Sequence, residues 1–221
     1  MSEIYFIAGT NTGIGKTYCT LGLLKAFQLQ KNIAIAMKPL ATGAEIRDGQ
    51  RCNEDALLLQ QQSSLQLAYE VINPYLYSAP LSPHIAARME NQFLNVSNIC
   101  DKIEKFLQLP ADVYLLEGVG GWHVPINENH TMADVVLKLN AKVILVVGME
   151  LGCINHAILT QRAMQMMQLS LVGWVANCHK NNSLISKEII STITHWIKAP
   201  CIGAVPFNEN VSDYVDLNLL N

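Results

Sequence analysis

The sequence predicts an α/β fold in which helices cover both faces of a mostly parallel β-sheet. Short apolar runs recur along the chain and are separated by polar segments or by segments with the spacing of amphipathic helices. Within each run the apolar residues are continuous rather than alternating, which is typical of parallel strands buried on both faces. The predicted strands are Ile4 to Ala8, Ile33 to Met37, Val113 to Leu116, Val143 to Val147, Leu171 to Ala176 and Cys201 to Val205.

The composition indicates a globular domain with a small-molecule partner. The chain has 221 residues, of which 50% are hydrophobic and 15% are charged. This is enough apolar material for one large core, so we expect residues 1–221 to form a single domain. The formal net charge is −3 and the basic residues do not cluster, which argues against a nucleic-acid partner.

The same residues bear on the location of the protein. The apolar runs are of strand length, well short of the roughly 20 residues that a membrane-spanning helix requires. Met-Ser-Glu-Ile leads directly into the first predicted strand, without the basic and apolar regions of a signal peptide. The six cysteines include no C-x-x-C pair, so we expect buried, reduced thiols rather than a zinc or redox site. We therefore expect a cytoplasmic protein with no membrane partner.

The first predicted strand leads into Gly-Thr-Asn-Thr-Gly-Ile-Gly-Lys-Thr, residues 9–17, and a predicted helix runs from Lys16 to about Leu29. A strand, a glycine-containing turn and a helix start form the phosphate-binding P-loop, whose backbone N–H groups surround a phosphate. Lys16 would reach the β- and γ-phosphates of a nucleotide, and the Thr17 hydroxyl would face Mg²⁺. The strict pattern is not met, because Thr10 occupies its first glycine position. An ordinary glycine-rich turn is the alternative, and the flanking strand and helix favour nucleotide binding.

Three ionisable residues follow predicted strand or helix boundaries. Lys38 ends the second strand before Pro39, where a lysine is commonly a solvated cap unless a phosphate lies beside it. Asp55 opens a helix that runs to Gln62, either as a plain first-turn acid or as a metal ligand, and spacing does not decide between them. Glu117 ends the third strand and precedes a glycine-rich stretch, where an acid in a P-loop protein contacts Mg²⁺.

The remaining segments are assigned from periodicity and punctuation. We expect a stripe of buried residues in the first helix at Leu21, Leu24 and Phe27. Polar groups at the ends of the last two strands could hold a nucleotide base. Further predicted elements are a short strand from Tyr69 to Asn73 and helices beginning near His84, from Val96 to Leu107, from Met132 to Leu139 and from about Asn155 to Met167.

Eight short stretches of the chain, taken together and in order, are similar to one known family. They are residues 10–17, Met37-Lys38-Pro39, Asn53-Glu54-Asp55-Ala56, Asn73-Pro74-Tyr75, Ser82-Pro83-His84, residues 117–122, residues 151–156 and residues 173–177. By these stretches the chain resembles the dethiobiotin synthetase family over essentially its whole length, and their order makes the likeness specific although no single stretch would do so. The resemblance implies a single-domain, P-loop NTPase-like fold.

The resemblance also implies a reaction. The family uses ATP and Mg²⁺ to join CO₂ to 7,8-diaminopelargonate and close the cyclic urea of dethiobiotin. One substrate amine becomes a carbamate, a carbamate oxygen takes the γ-phosphoryl group, and the second amine then attacks the mixed anhydride and expels phosphate. Such chemistry needs neutralisation of phosphate charge rather than an enzyme nucleophile.

Residue roles carry over by resemblance only. Lys16 and Lys38 would be catalytic, Thr17, Asp55 and Glu117 would hold Mg²⁺, and Thr12, Lys38 and Thr42 would orient the diamine and carbamate. The expected nucleotide site comprises Gly13, Ile14, Gly15, Lys16, Thr17, Tyr18, Asp55, Glu117, Gly118, Val119, Gly120, Asn177, Cys178, Pro206, Phe207 and Asn208. In the family's homodimer, the turn formed by Gly152, Cys153, Ile154 and Asn155 would bind the substrate carboxylate in the other subunit's site.

Two departures and two rival classes qualify this assignment. Asn11 and Gly13 stand where some relatives carry acids. The first rival is a partner-switching P-loop ATPase of similar fold, but such proteins carry a second lysine five residues before the P-loop lysine, and here that residue is Asn11. The second rival is an amide-forming synthase with a glutaminase domain, for which we expect 221 residues to be too short.

Overall fold

The structure, a computed structural model, describes residues 2–181 and 187–220. In chain order, its strands are β1 (Glu3–Gly9), β2 (Ala34–Met37), β3 (Leu40–Thr42), β4 (Glu45–Arg47), β5 (Gln50–Cys52), β6 (Tyr75–Tyr77), β7 (Val113–Glu117), β8 (Lys142–Gly148), β9 (Leu171–Asn177) and β10 (Cys201–Val205). Its α-helices are α1 (Lys16–Leu29), α2 (Glu54–Gln62), α3 (Tyr69–Ile72), α4 (Pro83–Met89), α5 (Val96–Phe106), α6 (Met132–Leu139), α7 (Cys153–Met166) and α8 (Lys187–Ile197). Two 3₁₀ turns, Val211–Asp213 and Leu217–Leu219, follow β10.

The central sheet has six strands in the order β10-β9-β8-β1-β7-β2, and every neighbouring pair is parallel. Consecutive residues of β1 from Tyr5 to Ala8 are all buried. Since successive side chains of a strand point to opposite faces, both faces of the sheet are covered. The predicted α/β fold with a mostly parallel sheet is therefore confirmed.

The order of the strands determines where a site can form. The chain leaves β1 through α1 to reach β2 at one edge of the sheet, whereas β8 lies on the other side of β1. The connection after β1 and the connection after β8 therefore run in opposite directions from the carboxyl ends of these neighbouring strands. Ligands bind in the crevice that forms at such a point. The loops after β1, β7, β8 and β9 all leave the sheet at this edge.

The predicted strands and most predicted helices are confirmed to within about two residues. The segment from Tyr69 to Asn73 is an exception, because residues 69–72 form α3 rather than a strand. Its aromatic and β-branched residues have strand propensity, but tertiary contacts decide such short segments. The buried stripe of α1 is also shifted, since Leu23 is fully buried and Leu21 only partly, whereas Leu24 and Phe27 are buried as expected.

Five elements were not predicted: two pairs of short strands and one helix. Strands β4 and β5 form an antiparallel hairpin around Asp48 and Gly49, both with positive φ, and an Asp-Gly pair is a recognised hairpin signal. Strands β3 and β6 form a separate parallel pair. Helix α8 buries Ile193 and Ile197, one turn apart.

The other expectations on composition can be compared with the described residues. Five cysteines are buried, Cys201 is partly buried and all six are free thiols, as predicted. Among the described residues, no helix combines the length and apolar character needed to cross a membrane.

Candidate functional site

The loop after β1 is held in a conformation that requires glycine. Gly13 and Gly15 have φ angles of 72° and 83°, in the left-handed region that favours glycine. A Cβ atom on Gly15 would lie 2.3 Å from the side-chain nitrogen of Asn177. Gly15 is also the residue immediately before α1, and the first N–H groups of a helix have no partner within the helix. The loop can therefore present several backbone donors to an anion.

Lys16 lies under this loop and is nearly buried. Its side chain is 8% exposed, and its ammonium donates a hydrogen bond to the backbone carbonyl of Asn11 at 3.0 Å. Burial lowers the pKa of Lys16 from 10.5 to about 8, although the negative charge of Glu117 opposes the shift. Because this ammonium is poorly solvated, an incoming anion would be attracted strongly.

Glu117 at the end of β7 is the centre of an ion cluster. Its side chain is fully buried, and Oε1 accepts hydrogen bonds from the Thr17 hydroxyl at 2.7 Å and from the Lys38 ammonium at 2.6 Å. The same ammonium lies 2.6 Å from Oδ2 of Asp55. Thr17 of α1, Lys38 after β2, Asp55 of α2 and Glu117 of β7 thus meet at the carboxyl ends of the strands. As expected from the sequence, the side chains of five residues lie together here: Lys16, Thr17, Lys38, Asp55 and Glu117.

Lys38 is buried rather than a solvated cap. Burial by itself would lower the pKa of its ammonium, but the carboxylates of Glu117 and Asp55 outweigh burial and raise the pKa. Lys38 therefore remains charged over the physiological pH range. A permanently charged ammonium beside a phosphate-binding loop can stabilise negative charge on a transferring group.

The residues around Glu117 fit a magnesium ion. Oε2 of Glu117 is buried and has no hydrogen-bond partner among the described residues, and a buried carboxylate oxygen without a partner is costly. The Thr17 hydroxyl and the Asp55 carboxylate supply further hard oxygen donors. Within residues 2–181 and 187–220, no group of three or more His, Cys, Asp or Glu side chains could hold a metal. Mg²⁺ usually binds one or two protein carboxylates together with substrate phosphates, so Asp55 and Glu117 would be enough carboxylates for it.

The ion cluster opens into a cavity of about 380 Å³. Ten of the expected site residues line it, together with Asn53, which sequence reasoning did not select. Asn53 caps α2 by accepting a hydrogen bond from the backbone of Ala56. The expected lining residues are Thr12, Gly13, Gly15, Lys16, Thr17, Lys38, Thr42, Asp55, Val119 and Gly120.

A second cavity of about 230 Å³ lies on the other side of the P-loop. Its lining includes Asn177, whose Nδ2 donates a hydrogen bond to the carbonyl of Ile14 at 2.7 Å and whose Oδ1 is buried without a partner among the described residues. The hydroxyl of Tyr18 donates a hydrogen bond to the Glu209 carbonyl. The lining residues are Gly13, Gly15, Tyr18, Asn177, Cys178, His179, Phe207 and Asn208. His179 was not predicted, whereas the expected Ile14 and Pro206 do not line the cavity.

A third cavity of about 430 Å³ adjoins the first and shares Thr12, Thr42, Val119 and Gly120 with it. The rest of its lining is largely apolar and comes from Val124 and from the segment between Pro80 and Pro83. Sequence reasoning treated this segment only as a proline-punctuated loop before a helix. Apolar side chains cannot be assigned to a ligand from spacing alone, because most of them belong to a core.

Some expected site residues lie elsewhere. Residues 152–155 form the start of α7, and they line none of these three cavities. The preceding Leu151 is 95% exposed. Gly118 does not line a cavity either, and a Cβ atom there would lie 2.9 Å from the Phe6 ring. Gly118 is therefore needed for packing between β7 and β1.

Comparison with known proteins adds the following findings. A family model described as an AAA domain matches residues 3–214. ATP-dependent dethiobiotin synthetase BioD 1 of Escherichia coli O157:H7 is 40% identical over 226 residues, and the match covers 100% of both chains. ATP-dependent dethiobiotin synthetase BioD of Cellvibrio japonicus (strain Ueda107) is 43% identical over 204 residues, covering 92% of this chain and 89% of the relative.

Solved structures with a similar fold are more distant in sequence. The MinD cell division protein of Aquifex aeolicus matches with a TM-score of 0.57 and 17% identity over 96% of this chain and 85% of that one. A ParA family ATPase from Chlorobium tepidum TLS matches with a TM-score of 0.56 and 13% identity over 94% of this chain and 85% of that one. At these identities the likeness concerns the fold alone, and it agrees with the predicted α/β fold.

The buried Lys16 predicts a pH-dependent stability. The folded chain releases the Lys16 proton near pH 8 and the unfolded chain near its usual pKa, so the unfolded state holds more protons between these values. Stability attributable to Lys16 therefore rises with pH across this window. At pH 7, Lys16→Met should be more resistant to urea than the wild type by about 3 kcal/mol, since each pKa unit is worth about 1.4 kcal/mol. This advantage should shrink above about pH 8.

The exposed Lys25 in the same helix provides the control. Lys25→Met should change the free energy of unfolding little at any pH, because an exposed side chain has little to lose. Urea unfolding of the three proteins from pH 7 to about pH 9.5 makes the comparison. A Lys16→Met variant that is less stable than the wild type at every pH would contradict the conclusion that burial penalises this ammonium.

Proposed function

This chain belongs to the dethiobiotin synthetase family, and we propose that it closes the urea ring of dethiobiotin from 7,8-diaminopelargonate, CO₂ and ATP at the ion cluster around Glu117. Membership makes it an ATP-dependent ligase of biotin biosynthesis. The observation that carries the proposed site is the Lys38 ammonium, which lies 2.6 Å from carboxylate oxygens of both Asp55 and Glu117 beside the P-loop.

The nucleotide occupies the first two cavities. Both are lined by Gly13 and Gly15, so the triphosphate can cross the P-loop between them. The base lies in the second cavity, where Asn177 supplies a buried acceptor with no hydrogen-bond partner in the described part of the chain and Phe207 supplies an aromatic face. Mg²⁺, held by Thr17, Asp55 and Glu117, would supply charge neutralisation at the phosphates when bound.

The diamine occupies the first and third cavities. Its amines lie near the hydroxyls of Thr12 and Thr42, which line both cavities. Its aliphatic chain runs over Leu81 and Val124 in the third cavity. An apolar groove that adjoins a charged cluster suits a substrate with a hydrocarbon chain and two reactive amines at one end.

The chain's residues act by binding and charge stabilisation. One amine takes up CO₂ and loses a proton to give a carbamate, and a carbamate oxygen attacks the γ-phosphorus while the bond to ADP breaks. The second amine then attacks the carbonyl carbon of this mixed anhydride, loses a proton and expels inorganic phosphate. Lys16 and Lys38 stabilise the negative charge that moves between oxygens.

The proposed active form is a cytoplasmic homodimer. Residues 152–155 at the start of α7 line none of the three cavities described above, yet a helix start binds carboxylates well. Leu151, Leu159 and Met166 are exposed along the same helix and the turn before it. A second copy could cover these side chains and receive the turn near its third cavity. The rival partner-switching ATPase gains no support, because the position of its second lysine holds Asn11, whose backbone carbonyl accepts a hydrogen bond from Lys16.

The direct test of the function is to combine the purified protein with diaminopelargonate, bicarbonate, ATP and Mg²⁺ and to detect dethiobiotin by mass. We expect one ADP and one phosphate for each dethiobiotin. ATP hydrolysis that does not depend on the diamine, with no ring product, would exclude the proposed function.

Removing either site lysine should abolish most of this activity. Lys16→Ala and Lys38→Ala should each lower kcat by at least about 10²-fold, the typical effect of losing one preorganised charge-stabilising group. Lys25→Ala, in α1 and exposed, should be unaffected. Lys38→Met keeps the bulk of the side chain and separates lost charge from lost packing. Wild-type turnover in a folded Lys16 or Lys38 variant would remove that residue from the mechanism.

The shared site predicts complementation between two inactive variants. Lys16→Ala disables the P-loop, and Gly152→Asp combined with Asn155→Asp should repel the substrate carboxylate from the α7 turn. When the two variants are coexpressed, random pairing gives half hybrid dimers, each with one complete site, so activity should approach about one quarter of the wild type. If the mixture forms hybrid dimers but is no more active than the average of the two variants, the site is not shared.

A further inference from the structure

Strand β2 lies at an edge of the central sheet, so its outward backbone groups need partners other than a strand. The N–H groups of Ala34 and Ala36 donate to the hydroxyls of Ser64 and Ser63 at 3.1 and 3.0 Å. The next outward N–H, that of Lys38, donates to the carbonyl of Ile72 at 2.9 Å. At Lys38, therefore, the end of α3 supplies the hydrogen-bond acceptor that a neighbouring strand would otherwise provide to β2.

Asn73, directly after α3, holds the other backbone group of Lys38. Its Nδ2 donates a hydrogen bond to the Lys38 carbonyl at 2.7 Å and one to the Tyr75 carbonyl at 3.3 Å. Its side chain is buried, with the residue only 4% exposed. The amide oxygen is also bonded, as described next, and a buried amide whose nitrogen and oxygen both form hydrogen bonds is conformationally fixed. Ile72 and Asn73 thus hold Lys38 from both its N–H and its carbonyl.

Tyr69, at the first turn of α3, connects this grip to α2. Its hydroxyl donates to Oδ1 of Asn73 at 3.0 Å and accepts a hydrogen bond from the backbone N–H of Asn53 at 2.7 Å. Asn53 caps α2, and Asp55 lies in the first turn of that helix. One phenolic hydroxyl therefore bridges the segment that carries Lys38 and the segment that carries Asp55.

We propose that Tyr69 and Asn73 are positioning residues that set the separation of the Lys38 ammonium and the Asp55 carboxylate. The inference rests on the proposed roles of Lys38 and Asp55. Neither Tyr69 nor Asn73 lines the three described cavities, so both act through other residues. The ion pair between Lys38 and Asp55 joins the same two segments directly, so the bridge acts on the separation of that pair. Displacements of about 1 Å in a catalytic group can lower rates by up to about 10²-fold.

The gentlest test is Tyr69→Phe, which removes only the bridging hydroxyl. Its matched control is Tyr77→Phe, because the Tyr77 hydroxyl also donates to a side chain, Oε1 of Gln92 at 3.3 Å, and Tyr77 lines none of the three cavities. We expect kcat to fall about tenfold in Tyr69→Phe, with a higher half-saturating Mg²⁺ concentration and a nearly unchanged KM for ATP. Tyr77→Phe should keep wild-type kcat and Mg²⁺ dependence.

The readouts separate positioning from stability. A purely structural role would lower the Tm of Tyr69→Phe but leave its kcat per folded molecule and its Mg²⁺ dependence equal to those of Tyr77→Phe, and that result would overturn the inference. Asn73→Asp, which keeps the shape but loses the donor to Lys38, should show the same kcat and Mg²⁺ effects as Tyr69→Phe. Full activity in Lys38→Ala would instead remove Lys38 from the mechanism, and a wild-type protein that forms no dethiobiotin would overturn the proposed function, so these failures can be told apart.

Discussion

The structure of the site depends on the neutralisation of one carboxylate, that of Glu117, which is fully buried at the end of β7. An unpaired charge in that position would be strongly destabilising. The Lys38 ammonium and the Thr17 hydroxyl meet this requirement from two other elements. Through Lys38, the same requirement brings Asp55 to the cluster. The need to compensate one charge therefore assembles α1, α2, β2 and β7 around a common point.

Charge balance also explains why the cluster suits a nucleotide. Two cationic and two anionic side chains, Lys16, Lys38, Asp55 and Glu117, leave the cluster near neutrality, while one oxygen of Glu117 keeps unused bonding capacity. Lys16 is poorly solvated because it is nearly buried, and this burial lowers its pKa. A magnesium triphosphate would supply a cation for the carboxylates and an anion for Lys16 at the same time. The electrostatic interaction of the cluster with magnesium and triphosphate together would therefore be more favourable than its interaction with either ion alone.

The sequence predicted the sheet, and it selected the side chains that lie together around Glu117, because both predictions depend on local patterns. Continuous apolar runs mark strands buried on both faces, and Gly13, Gly15 and Lys16 mark the phosphate loop. Tyr69, Asn53 and Leu81 could not be assigned in this way. Their roles depend on how distant segments meet: Tyr69 was expected in a strand because its propensity is local, whereas its hydroxyl bridges two elements whose contact is tertiary.

The central claim is that Thr17, Asp55 and Glu117 share one divalent cation beside a triphosphate held by Lys16. The most direct measurement is anomalous scattering from a crystal grown with Mn²⁺ and a non-hydrolysable ATP analogue. We expect a single manganese peak in contact with the Thr17 hydroxyl and the Glu117 carboxylate, close to Asp55, with the Lys16 ammonium turned from the Asn11 carbonyl to the phosphates. A triphosphate bound away from Lys16, or manganese out of reach of both Asp55 and Glu117, would contradict it.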